Sequence, residues 1–412
     1  MASSSRTGSS MRRNRSANKE LSDAMAAAAL VGDLTITDID EVTDQIIKEQ
    51  EAIVREKFNL ECLRFQRPIG LGGQGGVWLA IDSTSGLRCA VKQVRKGRLA
   101  ALPRKSAMRV FTEKEALGDC KHPFITRLYG TFQDPTSLYF CMELMSGGDL
   151  FGLLDIFPNG VREDHARFYT ATVSLALRHI HSRGYVYRDV KLENVLIDGD
   201  GYVKLCDFGF AKCVAESRTF TKCGTDEYAP PEVVSGRGRS TAADWWGLGV
   251  LLHEMLTGRP PFEGRSAQDI FALIEQYTRG GNEAAERLQR QVNRTAESLS
   301  AAAGTFLIGL LRARESERIG CGPAGFVDVQ RDEWFEGLEW DKLLRKQIPA
   351  PWLPPKSDDG AAPSDAEFGP DGVMKDVPFD ADAWAPIFAD FGPVLAQPLL
   401  PGEVQTTPPT RR

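Results

Sequence analysis

Four polar side chains in the segment 187–209 have the types and spacing needed to handle a proton and a metal ion. Asp189, Lys191 and Asn194 lie within six residues in Y-R-D-V-K-L-E-N, and Asp207 opens D-F-G eighteen positions after Asp189. Carboxylate and amide oxygens are hard ligands that suit Mg²⁺. Such a set suits phosphoryl transfer, which needs an aligned hydroxyl group and cations over the phosphate oxygens.

A short hairpin is predicted to position these groups. Val195–Ile197 and Val203–Leu205 are apolar and flank the turn sequence Asp-Gly-Asp-Gly at 198–201, which is the pattern of two strands joined by a tight turn. The polar loop then precedes the first strand, and Asp207 follows the second. The alternative is a surface hairpin with solvated charges, which the complete string disfavours.

The string resembles the signature of protein kinases, H-R-D-L-x-x-x-N followed by D-F-G, with Tyr187 in place of the histidine. The resemblance implies that Asp189 orients or deprotonates the substrate hydroxyl and that Lys191 neutralises the moving phosphoryl group. It also implies that Asn194 and Asp207 hold two Mg²⁺ ions, and that Thr225 belongs to the catalytic residues.

A glycine-rich segment upstream predicts the phosphate-binding loop. Residues 70–77 fit G-x-G-x-x-G-x-V, and glycine lets a backbone approach phosphates without a Cβ clash. An apolar run at 77–81 predicts a second strand where a dinucleotide-binding fold would have a helix. The residues predicted here to contact ATP are Gly70, Leu71, Gly72, Gly73, Gln74, Gly75 and Val77.

A lysine in an apolar strand is predicted to anchor the nucleotide. Lys92 ends Cys-Ala-Val-Lys, a match to V-A-I-K, and an unpaired ammonium there would be costly. Glu113, in a predicted helix over 108–117, is the candidate partner, the alternative being a solvated side chain. The resemblance also implies nucleotide contacts from the same strand, the interlobe linker and the catalytic loop, namely Ala90, Met142, Glu143, Met145, Asp149, Glu193 and Asn194.

Further motifs resemble the cyclic-nucleotide-dependent kinases of the AGC group. They are R-T-F-T-K-C-G-T-D-E-Y at 218–228, D-W-W-G at 244–247, R-I-G at 318–320 and A-P-W-L-P at 350–354. The cAMP-dependent catalytic subunit is the nearest type and the cGMP-dependent kinase the alternative. No stretch is left over for cyclic-nucleotide-binding domains, so a separate cyclic-nucleotide-binding regulatory subunit is a candidate partner. Intact catalytic residues argue against an inactive scaffold.

Three acidic residues match family positions that bind arginines ahead of the phosphoacceptor: Asp149, Glu193 and Glu254. Bidentate pairs between arginine and a carboxylate suit that task, although each residue alone could be a solvated acid. Together they predict a basophilic serine/threonine kinase, whose protein substrates carry Arg before the Ser or Thr. The family's apolar wall for the following residue is replaced by Lys222, Asp226 and Ala229.

The resemblance also implies regulation. Thr221 occupies the position of the activation phosphate, and Arg188, Lys212 and Arg109 match the cationic pocket that receives it. Glu232 is expected to pair with Arg318. Phe388 and Phe391 fit the F-x-x-F motif that docks on the small lobe. Cys206, directly before Asp207, is expected to border the nucleotide, where an electrophile could label it, with Cys223 as the competing thiol.

The predicted fold is α+β and two-lobed, with a small, mainly antiparallel-β lobe containing one key helix and a large, mainly helical lobe. The large lobe is predicted to include a helix over Glu163–Ser182. The predicted divisions are a disordered Ser-rich basic arm (1–38), an amphipathic helix (39–60), a kinase domain (65–335, lobes 65–144 and 145–335) and a C-terminal tail (336–412). A helical surface insertion is predicted at 277–303.

Composition and charge limit the classes of protein to which the chain can belong. A net charge of −6 over 412 residues and a pI near 5.6 argue against a general nucleic-acid binder. Eight cysteines without metal-binding spacing suggest reduced thiols and a cytoplasmic location, with the nucleus as a second possibility. No apolar run reaches membrane length and Met1-Ala2 lacks a myristoylation glycine, so no membrane anchor is expected.

Overall fold

The computed structural model describes residues 36–72, 75–214, 218–219, 224–279, 290, 292, 294–295, 298–355 and 378–394. Several predictions lie outside these residues: those for Gly73, Gln74, Thr221, Lys222 and Cys223, and for nearly all of the basic arm. No helix among the residues described is both long and apolar enough to cross a bilayer.

Five antiparallel strands form the sheet of the small lobe, in the order β1-β2-β3-β5-β4. Their bounds are β1 Leu63–Gly72, β2 Gly75–Asp82, β3 Arg88–Arg95, β4 Leu128–Gln133 and β5 Ser137–Glu143. Trp78, Val91 and Tyr139 bury one face of the sheet in a small apolar cluster. The lobe therefore begins at Leu63, two residues before the predicted start.

Three helices follow β3, where one was expected. They are α2 (Lys96–Ala100), α3 (Arg104–Ala107) and α4 (Arg109–Asp119). In α4, Val110, Glu113 and Leu117 recur at helical spacing and are buried, so this face packs towards the core. The side chain of Glu113 is thereby carried inward beneath the sheet.

The large lobe is mostly helical, and its longest helix runs over the residues predicted for it. Its helices are α5 Leu150–Ile156, α6 Glu163–Ser182, α7 Pro231–Val234, α8 Ala242–Thr257, α9 Ala267–Arg279, α10 Ala301–Leu310, α11 Phe326–Gln330 and α12 Trp340–Leu344. Gly258 ends α8 with φ of 76°, and a Cβ there would lie 2.3 Å from the Pro158 carbonyl oxygen. Glycine is therefore required at this turn.

Two small antiparallel pairs complete the strands of the large lobe. Val195–Ile197 (β7) pairs with Val203–Leu205 (β8), so the predicted hairpin is present. Tyr185–Val186 (β6) pairs with Lys212–Cys213 (β9). With an antiparallel-β small lobe and a helical large lobe, the α+β, two-lobed fold class is confirmed.

The N-terminal helix α1 spans Ile36–Lys57, so the predicted bounds of 39–60 are wrong by three residues at each end. Asn59 has an extended backbone and its side chain caps the next short turn, which stops the helix before it. Asp40 pairs with Arg178 of the large lobe at 2.7 Å, and Glu51 pairs with Lys121 of the small lobe at 2.5 Å. The helix therefore contacts both lobes.

The tail returns to the small lobe after helix α13 (Ala381–Phe388). Phe391 is fully buried and packs edge-on against Phe111 and Phe140, with ring centroids 5.8 and 5.2 Å away. Gln133 binds this segment through its side chain, which donates to the Phe388 carbonyl at 2.9 Å. The structure thus places F-x-x-F on the small lobe.

The described part of segment 277–303 is not confined to the surface. Val292 and Tyr277 are buried, and the Tyr277 hydroxyl donates to the Leu311 carbonyl at 3.0 Å. The expectation of a purely surface insertion is wrong for these residues, because both side chains belong to the hydrophobic core and Tyr277 packs against Trp246 of α8.

Candidate active site

The catalytic loop brings three of the predicted side chains into direct contact. The Asn194 amide donates to the Asp189 carbonyl at 2.9 Å and to Asp189 Oδ2 at 2.6 Å, while Lys191 Nζ lies 3.2 Å from Oδ2. Asp189 is 4% exposed, and its Oδ1 accepts no hydrogen bond within the described structure. One carboxylate oxygen is thus held in place, and the other is left for a substrate hydroxyl.

Burial and neighbouring groups shift the pKa of Asp189 in opposite directions. Burial raises the pKa of its carboxyl above the ordinary value, whereas Lys191 and the Asn194 hydrogen bond oppose that rise. A carboxylate with a somewhat raised pKa is a better proton acceptor than a free one. The geometry therefore suits Asp189 to the role predicted for it.

Asp244 supports the loop from beneath, a role that the sequence did not reveal. Its carboxylate accepts hydrogen bonds from the backbone N–H groups of Tyr187 (2.9 Å) and Arg188 (2.8 Å), and His181 Nε2 lies 2.8 Å away. Arg188 has φ of 72°, an uncommon conformation for a non-glycine residue. Asp244 holds the backbone in that conformation.

Tyr187 replaces the histidine of the signature and links the loop to D-F-G. Its hydroxyl donates to the Cys206 carbonyl, and its ring lies 5.2 Å from that of Phe208. Both side chains are fully buried. The substitution therefore keeps the catalytic loop and the metal-binding segment in register.

Lys92 is shared between two carboxylates. Its Nζ lies 2.6 Å from Glu113 Oε1 and 3.7 Å from Asp207 Oδ1. Burial alone would lower the pKa of the ammonium, but Glu113 and Asp207 raise it above its usual range. Lys92 in turn lowers the pKa of Asp207. Asp207 is therefore an ionised oxygen ligand, and together with Asn194 it would suit a Mg²⁺ ion whose other ligands would be phosphate oxygens and water.

A cavity of about 680 Å³ lies between the lobes beside these groups. It is lined by most of the residues predicted to contact ATP, namely Gly70, Gly75, Val77, Ala90, Lys92, Met142, Glu143, Met145, Asp149 and Glu193. A Cβ on Gly75 would lie 1.8 Å from the Gln93 carbonyl oxygen. Glycine is therefore needed at the start of β2, where its backbone lies close to that of β3. Asn194 is not among the described residues that line the cavity.

Similarity to known proteins identifies the family of this chain. Residues 63–335 match the family described as "Protein kinase domain". The chain belongs to the protein kinase family. The kinase is 36% identical over 307 residues to a Caenorhabditis elegans protein named "cAMP-dependent protein kinase, catalytic subunit-like", covering 73% of this chain and 71% of that one.

Other relatives support the same group. The kinase is 38% identical to the "cAMP-dependent protein kinase catalytic subunit" of Arthrobotrys oligospora, covering 76% of this chain and 57% of that protein. It is 35% identical to human "Ribosomal protein S6 kinase alpha-1", covering 73% of this chain and 39% of that protein. The predicted resemblance is confirmed, and the chain is a serine/threonine protein kinase of the AGC type.

At the end of β5, Glu143 forms an ion pair with a buried lysine that sequence reasoning missed. Lys204, on β8 and 3% exposed, lies 2.7 Å from both carboxylate oxygens of Glu143. The Glu143 carboxylate is engaged by Lys204, so the predicted nucleotide contact at this residue would have to come from its backbone. A lysine in an otherwise apolar strand was the available signal, since burial requires a partner.

The three predicted substrate-binding acids have different surroundings. Glu254 is mostly buried and accepts a hydrogen bond from the Tyr228 hydroxyl. Asp149 caps helix α5 by accepting from the Gly152 N–H at 2.7 Å. Glu193 lies on the wall of the nucleotide cavity. Thr225 begins the turn that leads to Tyr228, and its hydroxyl lies 3.2 Å from Lys191 Nζ.

The cations of the predicted activation pocket meet a different threonine within the described structure. Arg188 Nη1 and Lys212 Nζ lie 3.0 and 3.2 Å from the hydroxyl of buried Thr219. The Arg109 guanidinium stacks on Phe210, 4.9 Å from the ring centroid. Thr219 was not among the predicted residues, although it stands two positions before Thr221.

Cys206 lines the nucleotide cavity, as expected. Burial raises the pKa of its thiol, Asp207 raises it further, and Lys92 opposes them only in part. The pKa of the thiol is therefore raised, which favours its protonated form. Since the thiolate is the nucleophile, labelling of Cys206 by an electrophile at the nucleotide site stays a prediction.

Proposed function

We propose that the kinase transfers the γ-phosphoryl group of ATP, with two Mg²⁺ ions, to serine or threonine residues that follow arginine in protein substrates. The observation that carries the proposal is a group of carboxylates beside the catalytic loop. The negative charges of Glu193, Glu227 and Glu263 all contribute to a raised pKa of the Glu254 carboxyl. Within the described structure, no lysine or arginine pairs with any of these four. Arginine side chains of a substrate would supply the missing cations.

The chemistry follows from the contacts of the catalytic loop. Asp189 takes the hydroxyl proton on Oδ1, while Asn194 holds Oδ2. Lys191 bridges Asp189 and Thr225 and stabilises negative charge on the moving phosphoryl group. Lys92, fixed by Glu113, binds nucleotide phosphate oxygens. Bound Mg²⁺ supplies neutralising charge on the phosphates, and Asp207 and Asn194 would hold it.

A cyclic-nucleotide-binding regulatory subunit is the proposed partner, supported by the relatives named as catalytic subunits of cAMP-dependent kinase. The cytoplasm is the proposed location, with the nucleus as a second one. Seven cysteines among the described residues are free thiols, which suits a reducing compartment.

The test compares two peptides that differ only ahead of one serine. One carries arginine three and two residues before the serine, and the matched peptide carries glutamate there. With ATP and Mg²⁺, phosphate should enter the arginine peptide at a kcat/KM at least about tenfold higher, as expected for charged contacts. Asp189→Ala is the control for contaminating kinases. Equal rates for the two peptides would refute the arginine preference.

A further inference from the structure

Arg109 contacts the segment that carries Asp207, although the sequence predicted it for a phosphate pocket. It is the first residue of helix α4, and Glu113 lies one turn further along the same helix. The Arg109 guanidinium lies over the ring of Phe210, 4.9 Å from the ring centroid. Positions i and i+4 are neighbours on a helix surface, and Arg109, Glu113 and Phe210 all line the nucleotide cavity. Two side chains of α4 therefore reach the cavity from adjacent turns.

The segment 207–210 has a strained backbone that its surroundings must hold. Asp207 has φ of 50°, a left-handed conformation that is uncommon for a residue with a side chain and persists only where neighbouring contacts fix it. Phe210 provides two such contacts. Its carbonyl accepts a hydrogen bond from Arg188 Nε of the catalytic loop at 2.5 Å, and its ring stacks with the Arg109 guanidinium. Phe210 therefore ties the metal-binding segment both to the catalytic loop and to helix α4.

Helix α4 reaches the metal-binding segment at two points. Glu113 Oε1 lies 2.6 Å from Lys92 Nζ, which in turn lies 3.7 Å from Asp207 Oδ1. Arg109 provides the second point, through Phe210. A movement of α4 away from the segment would weaken the stacking and the Glu113 pair together, since both side chains belong to one helix. A cation over an aromatic ring is attracted to it electrostatically, so the stacking favours the arrangement in which Glu113 meets Lys92.

We propose that Arg109 is a positioning residue that holds helix α4 on the metal-binding segment through Phe210, and that it does so without phosphate on the activation segment. The inference rests on the proposed function, because it concerns how Lys92 and Asp207 are aligned for the phosphates and Mg²⁺ of ATP. Arginine suits the role, since its guanidinium is planar, always charged and able to stack on aromatic faces. The stacking needs only side chains that the chain itself provides, whereas a phosphate pocket acts only after modification.

The test measures nucleotide binding to the full chain by calorimetry. Arg109→Leu and Phe210→Leu should each raise the Kd of MgATP roughly three- to tenfold, as expected for the loss of a cation–π contact. The Kd of adenosine, which has no phosphates, should stay unchanged, whereas general damage to the fold would raise both. The double variant should bind MgATP no more weakly than the weaker single variant, since both changes remove one interaction. Arg104→Leu, which removes the same charge from an exposed position in helix α3, should leave the Kd of MgATP unchanged.

Repeating the comparison in a Thr221→Ala chain separates this role from that of a phosphate receiver. The effect of Arg109→Leu on the Kd of MgATP should persist in that chain, and its disappearance would overturn the inference. An unchanged Kd of MgATP in Arg109→Leu, an equal loss of adenosine binding, or a double variant with the product of both single losses would also overturn it. The arginine peptide is assayed in parallel. A wild-type chain that binds MgATP but transfers no phosphate to this peptide would refute the proposed function, while the binding comparison still decides the inference.

Discussion

Replacing Glu254 by glutamine removes one negative charge from the proposed peptide-binding surface and keeps an oxygen that can accept from Tyr228. In the structure, burial raises the pKa of the Glu254 carboxyl to about 7, with Glu193 and Glu227 adding to the rise and the Tyr228 hydrogen bond opposing it. The charge of the Glu254 side chain is therefore expected to change near neutral pH.

The magnitude follows from the charge. A hydrogen bond to a charged group contributes about 1.5–3 kcal/mol, which corresponds to roughly 10- to 150-fold in peptide KM. The direction of the pH dependence of kcat/KM follows from the same group, because a carboxyl is neutral below its pKa and negative above it. With a pKa of about 7, about one tenth of Glu254 is ionised at pH 6. Wild-type kcat/KM for an arginine peptide should therefore fall about tenfold between pH 8 and pH 6.

The assay is steady-state phosphorylation from pH 6 to pH 8, with the arginine peptide and a control peptide that has alanine at the same positions. The dependence of kcat/KM on pH reports groups of the free enzyme, and the control peptide reports titrations unrelated to arginine. Glu254→Gln should raise KM at pH 8 and remove the part of the pH dependence specific to arginine. If both enzymes show the same arginine-specific slope, the assignment of Glu254 is refuted.

Three further changes test the site and its support. Asp189→Ala should abolish nearly all turnover while ATP affinity stays close to normal; retention of most activity would exclude Asp189 as the proton acceptor. Arg318→Met should lower the free energy of unfolding by about 3–5 kcal/mol in urea titrations, because fully buried Glu232, 3.0 Å away, would lose its partner; a loss below about 1 kcal/mol would contradict this. Phe391→Ala should expose the tail to proteolysis, since it empties a fully buried site, whereas Val394→Ala, at a 72% exposed residue, should not; equal cleavage of both variants would count against the docked tail.

The local sequence pattern is sufficient to predict the secondary-structure elements around the catalytic loop. The hairpin Val195–Ile197 and Val203–Leu205 and the helix Glu163–Ser182 lie where the sequence predicts them. Their apolar periodicity and turn residues act over a few neighbouring positions. The spacing of Asp189, Lys191 and Asn194 is equally short, which is why the three group together in the sequence as they do in the fold.

The predicted ends of elements are less accurate than their existence, because they depend on capping and packing contacts. Helix α1 ends at Lys57 because Asn59 caps the following turn, and the apolar positions of 39–60 carry no information about that cap. The charges of segment 277–303 predict a surface insertion, yet Val292 is buried. The average composition of a segment does not predict which of its side chains will be buried.

The residues that only the tertiary structure identified are those whose partners lie far away in the chain. Lys204 is 61 positions from Glu143, and Asp244 is 57 positions from Tyr187. A single sequence contains no spacing rule that joins such pairs, since packing of the lobes selects them. Sequence alone predicted the reaction and, in the catalytic loop, the groups proposed to perform it, because their spacing is local. The fold decided how the catalytic loop and linker are held, because those contacts form only when distant segments are packed together.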